Sequence, residues 1–127
     1  MTARTGASFA EASTRIREAL KAQGFGVLTE IDVQATLREK LGEQMEEYVI
    51  LGACNPPLAH RALSADRAIG LLLPCNVVVR GAGDHTVVQA LDPRAIAAVS
   101  GHPELTDIAE DAAARIQAAL DTLPAVT

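Results

Sequence analysis

The residues best equipped for chemistry are two cysteines, each followed by an asparagine: Cys54-Asn55 and Cys75-Asn76. They are the only cysteines in the chain. Cys54 closes an apolar run and stands just before Asn55-Pro56-Pro57, which reads as a helix start, because asparagine is a preferred N-cap and proline is tolerated in a first turn. A thiol ahead of a helix N-terminus feels the positive end of the macrodipole, which favours thiolate. Cys75 opens a second apolar run, so the two sulfurs approach one another if the runs are neighbouring strands. As a pair they could form a reversible disulfide, carry a persulfide or hold a soft metal ion. The competing reading makes both small buried hydrophobes at strand ends, since free cysteine is among the most buried residue types. Asn76, inside an apolar strand, is expected to be buried, either tying strands together or facing a polar pocket.

A metal site needs more. Catalytic zinc uses three protein ligands and structural zinc four. His60 is the histidine nearest the cysteines in the chain, but at about 100° per residue it falls away from the apolar face of Leu58, Ala59, Ala62 and Leu63. Cys54, Cys75 and His60 are thus an incomplete set, and no cofactor is expected. His85 and His102 stand at a hairpin and a helix start, toward solvent. Gly24-Phe25-Gly26 and Gly81-Ala82-Gly83 do not join a strand to a helix as a dinucleotide fingerprint requires. Pro56 and Pro57 remove two N–H donors that an anion at the helix start would use. Asp66 and Asp92 read as helix-boundary residues with no paired carboxylate to tune them as general bases. No catalytic constellation emerges, which points to a binding or structural role.

Composition limits the partners. The chain of 127 residues is expected to form a single domain, 1–127, with one core. Net charge is −5, and no basic cluster appears, which argues against nucleic acid and anionic membrane surfaces. No segment is long and apolar enough for a signal peptide or a membrane span, and a cytoplasmic location with reduced thiols is expected. Aromatic residues make up only 2%, so the core must be built from Ala, Val, Ile and Leu.

The elements that position the cysteines follow from periodicity. Ala3 to Ala7 is short and polar, at most an edge strand. Ser8 to Gln23 is an amphipathic helix with Phe9, Ala12, Ile16, Ala19 and Leu20 on one side, a Ser8 cap, and Gly24-Phe25 as a Schellman ending. Phe25 to Ile31 alternates as a half-buried strand. Asp32 caps a short helix, and Glu43, Glu46 and Glu47 form a solvated connector. Tyr48 to Ala53 is a second strand, covered on both faces or paired centrally. A helix from Asn55 to about Ala65 follows. The third strand lies within Ile69 to Arg80, best defined over Cys75-Asn76-Val77-Val78-Val79, and Thr86 to Leu91 returns after a turn. Asp92-Pro93 starts a short helix, and Glu104 to about Leu123 forms the last. This order predicts a two-layer α+β domain, a mainly antiparallel or mixed sheet packed on helices. A doubly wound parallel sheet is the competitor.

Ile50-Leu51-Gly52-Ala53-Cys54-Asn55-Pro56-Pro57, Leu72-Leu73-Pro74-Cys75-Asn76-Val77-Val78-Val79 and Gly24-Phe25-Gly26-Val27-Leu28-Thr29-Glu30-Ile31-Asp32 together resemble the prokaryotic family catalogued as domain of unknown function 302. The resemblance runs from Phe9 to Leu123. It implies a TATA-binding-protein-type fold, a sheet with a long helix, and a tendency to homodimers; it implies no activity. The resulting expectation is a homodimeric binding or structural domain, with a small ligand near the Cys54/Cys75 strand ends and candidate site residues Cys54, Asn55, Cys75 and Asn76. A thiol-redox or sulfur-carrier protein and a soft-metal binder are the alternatives.

Overall fold

The computed structural model describes residues 1–127. Its elements are β1 (Thr2–Thr5), α1 (Phe9–Ala22), β2 (Gly26–Asp32), α2 (Val33–Leu41), β3 (Tyr48–Cys54), α3 (Pro56–Ala65), a 3₁₀ segment (Arg67–Leu72), β4 (Cys75–Gly81), β5 (Thr86–Ala90), α4 (Pro93–Ser100) and α5 (Leu105–Leu120). Local signals account for most boundaries. The Ser8 hydroxyl accepts from the Glu11 N–H at 3.2 Å and starts α1. The helix ends as a Schellman motif, with Phe25 N–H on Leu20 O at 2.8 Å and Gly24 N–H on Lys21 O at 3.0 Å. Gly24 adopts the left-handed φ of 85° that this ending requires.

The strands form one sheet in the order β1-β5-β4-β3-β2, antiparallel at every pairing. Although α2 joins β2 to β3, these strands run in opposite directions, so the doubly wound alternative does not apply. Because strand side chains alternate, Val49, Leu51 and Ala53 on β3 share a face with Val77 and Val79 on β4 and Val88 on β5. All six are buried, in a cluster of 23 residues that also takes in Ile16 and Leu20 of α1 and Ile116 and Leu120 of α5. The result is a two-layer α+β domain whose last helix is the longest. No helix is long and apolar enough to cross a membrane.

The structure defines two segments that the sequence left loosely bounded and departs from expectation at the second strand. The polar opening segment is a genuine strand, Thr2–Thr5, paired with β5 at the sheet edge. Edge pairing is made by the backbone and needs no apolar side chains. The strand from Gly26 is the opposite edge and is largely exposed rather than half-buried. β4 opens at Cys75 as expected, and Ile69 to Leu72 ahead of it belong to a 3₁₀ segment, because the Asp66 carboxylate accepts from Ala68 N–H at 3.0 Å and starts a helical turn there.

One close approach fixes the sheet near the cysteines. Gly52 on β3 lies opposite Thr29 on β2 and Asn76 on β4. A Cβ at Gly52 would overlap the Thr29 hydroxyl and come within 2.8 Å of Pro74 Cγ. Gly52→Ala is therefore expected to destabilise the fold by about 1–3 kcal/mol through overpacking. The readout is a lower urea midpoint at unchanged slope, partly restored when Thr29→Ala is added. An unchanged midpoint in the single variant would refute this packing constraint.

Candidate functional site

β3 ends where β4 begins. Ala53 is the register partner of Cys75, so Cys54 and Cys75 stand one step apart on adjacent strands. Between this end of the sheet and the helices lies a cavity of about 390 Å³. Its wall takes Phe25 from the approach to β2, Leu58 from α3, Ile69 from the 3₁₀ segment, Ile96 from α4, and Ile108 and Ala112 from α5. Of the 22 lining residues 17 are hydrophobic and none carries a charge, so this is an apolar site with no ion-pairing partner inside it. Exposed Leu28, Thr29 and Gly70 belong to the same lining and mark where it meets solvent.

The cavity exists because the facing positions are small. Ala59 and Ala62 of α3, Ala97 of α4 and Ala109 and Ala112 of α5 all line it, and Phe25 is its one aromatic ring. Native interiors contain few voids larger than a water molecule. A lining of short side chains cannot close this one.

Cys54 and Cys75 both line the cavity, and neither is in a disulfide. Cys54 is half-buried; Cys75 is 8% exposed. Burial pushes the Cys75 thiol above its ordinary value, and the neighbouring Cys54 adds in the same direction. Cys75 is thus held as a neutral thiol at neutral pH.

Asn55 also lines the cavity, and its side chain is committed to structure. Its Oδ1 accepts from Leu58 N–H at 3.3 Å, capping α3 as expected, and its Nδ2 donates to Gln23 O at 3.4 Å. Arg115 of α5 donates to the same Gln23 carbonyl at 3.2 Å. The cap therefore ties the end of α1 and the middle of α5 to the start of α3, and so sets the position of Cys54.

Asn76 differs from expectation. It is exposed and takes no part in the cavity. Cys75 points inward with Ala53, and alternation sends Asn76 to the opposite face, beside Gly52. An amide exposed to solvent has no need of a polar pocket. His60 is exposed on α3 and outside the lining, and no three His, Cys, Asp or Glu side chains are grouped as a metal ion would need.

The sequence reading missed a polar latch between the 3₁₀ segment and the end of α4. Ser100 Oγ donates to Asp66 Oδ2 at 3.0 Å, and His102 Nε2 lies 3.6 Å from the same oxygen. His102 Nδ1 is 3.7 Å from Glu104. This group joins the 3₁₀ segment to the turn between α4 and α5, across 34 residues of chain. Asp92, the other aspartate weighed as a base, caps α4 by accepting from Arg94 N–H at 2.9 Å, and hydrogen bonds from the Arg94 side chain hold its carboxyl below the usual range.

Comparison with known proteins agrees with the sequence resemblance. The family model described as "Domain of unknown function DUF302" matches residues 1–123. The chain is similar to an uncharacterised conserved DUF302 protein from Bacillus stearothermophilus, known from a crystal structure. The two share 34% identity over 95% of this chain and 94% of that one, with a TM-score of 0.89. No curated protein matches.

The buried thiol gives a pH test. A group whose folded-state pKa is raised stabilises the fold fully below its unfolded value, 9.0 for the thiol, and that stability is lost as pH rises beyond it. Thermal midpoints followed from neutral to strongly alkaline pH should fall more steeply in the native sequence than in Cys75→Ala. Parallel curves would mean that Cys75 ionises as easily folded as unfolded.

Proposed function

The chain belongs to the DUF302 family, and we propose that it is a binding domain for a small, uncharged, apolar ligand held in the cavity beside Cys54 and Cys75. The observation that carries this reading is the cavity itself, about 390 Å³ with no charged lining residue. Small-molecule sites occupy roughly 300–1,000 Å³. An engineered cavity of about 150 Å³ lined by Leu, Ile and Phe takes benzene, so this one suits a ligand two to three times that size. A charged ligand would lose its hydration with nothing inside to replace it.

A homodimer forms part of the proposal. Leu28 and Leu41 are each 68% exposed and Ile31 is 50% exposed, at the β2 edge and on the neighbouring α2. α2 buries none of its residues, although its apolar positions recur at helical spacing. A second copy seated there would take this apolar surface out of water, and Leu28 also belongs to the cavity lining. A thiol-redox or sulfur-carrier role is the second reading, favoured by the placement of both free thiols in one cavity on adjacent strands.

Titration with the neutral fluorophore N-phenyl-1-naphthylamine tests the ligand reading. Saturable one-to-one binding is expected, and Ala62→Phe should abolish it by filling the cavity while the urea midpoint is kept. Non-saturable uptake, or binding that Ala62→Phe leaves unchanged, would count against the cavity as the site. For the assembly, sedimentation equilibrium should give twice the chain mass; a monomer at high micromolar concentration would dispose of the dimer.

A further inference from the structure

We infer that Cys54 is a covalent capture point within the cavity, adding to apolar α,β-unsaturated carbonyl compounds that the cavity admits. The inference rests on the ligand-binding reading and specifies what class of ligand is retained.

Geometry makes Cys54 the nucleophile. It is half-buried and lines the cavity into which an apolar molecule would partition. It ends β3 directly ahead of Asn55, the N-cap of the ten-residue helix α3.

A second, independent feature points to a ligand. Cys75 is 8% exposed, free, and lines the same cavity, with no side-chain or backbone partner for its sulfur. Burial keeps it protonated, so it serves as a soft, polarisable wall and leaves one nucleophile in the site. Two thiols facing one apolar space give soft ligands a chemical preference that an all-carbon wall lacks.

The lining also selects the reaction type. With no charged residue in it, the cavity has no acid to protonate a leaving group and nothing to stabilise an expelled ion. A conjugate addition expels nothing. The Cys54 sulfur forms a bond to the β-carbon of the enone as the carbon–carbon π bond breaks. That electron pair moves through the enolate, and the proton lost by the thiol ends on the α-carbon. No oxidant or reductant is consumed.

The test uses the intact chain and two electrophiles, the apolar enone 3-nonen-2-one and the small polar acrylamide, each rate being divided by that with glutathione. Addition is followed by intact mass and the modified residue is mapped by peptide. On that scale the enone should label Cys54 at least about tenfold faster than acrylamide does, because the cavity holds it against the sulfur. Saturated nonan-2-one, which cannot add, should suppress the labelling. Cys54→Ser should abolish it, and Cys75→Ser should retain it. Equal normalised rates, or first labelling at Cys75, would overturn the proposal; because mapping is done on the native chain, neither outcome requires any variant to fold. If nonan-2-one displaces N-phenyl-1-naphthylamine while the enone shows no preference for Cys54, capture is wrong and the binding reading stands. If neither ketone displaces the fluorophore and no preference is seen, both fail.

Discussion

The architecture turns on unequal packing between the sheet and the helices. Along the middle of the strands, Val49, Leu51, Val77, Val79 and Val88 join Ile16, Leu20, Ile116 and Leu120 in one buried cluster. Toward the Cys54 end of β3, the helices instead present Ala59, Ala62, Ala97, Ala109 and Ala112, which are too short to fill the space between them. An apolar cleft that opens to solvent leaves unburied surface that a closed core would cover, and the densely packed, valine-rich centre of the sheet offsets that loss.

A cavity bounded by several helices keeps its shape only if their relative positions are fixed, and polar side chains supply two of the fixings. Asn55 caps α3 and reaches back to Gln23 O, the carbonyl that Arg115 also holds from α5. Asp66 starts the 3₁₀ segment through Ala68 N–H and receives Ser100 at the end of α4. Each residue combines a local cap with a long-range bond. Hydrogen bonds of this kind contribute modestly to net stability, but leaving one of their buried groups unpaired is costly, so they resist displacement of the walls more than their strength suggests.

What could be read from the sequence divides along the same line. Caps at Ser8, Asp32, Asn55 and Asp92, the Schellman ending at Gly24-Phe25 and the long apolar stripe of α5 are local patterns, and the structure carries them all. The two-layer α+β arrangement followed from their order. The exposure of Asn76 did not, because alternation says which residues share a face and not which face is covered until the register with β3 is known. The cavity was equally hidden. Each alanine reads as a normal core residue of its own helix, and the unfilled volume appears only when three such helices meet above one end of the sheet. The sparse aromatic content was the one sequence signal that pointed toward it. The Asp66–Ser100–His102 latch joins parts of the chain too far apart for spacing to reveal.

The motif from Gly52 to Pro57 reads in sequence as a cysteine site, yet most of its positions are explained by structure. Gly52 is side-chain-free because Thr29 and Pro74 occupy the space a Cβ would take. Ala53 pairs with Cys75 and faces the core. Asn55 caps α3, and Pro56 and Pro57 sit in its first turn, where their missing N–H groups are least felt. Cys54 is the exception. It is neither deeply buried like a packing residue nor bonded like a cap, and serine or alanine would meet the backbone requirements of a strand end equally well. A half-buried cysteine in the lining of an uncharged cavity is the one position of the motif that the strand pairing and the helix cap do not account for.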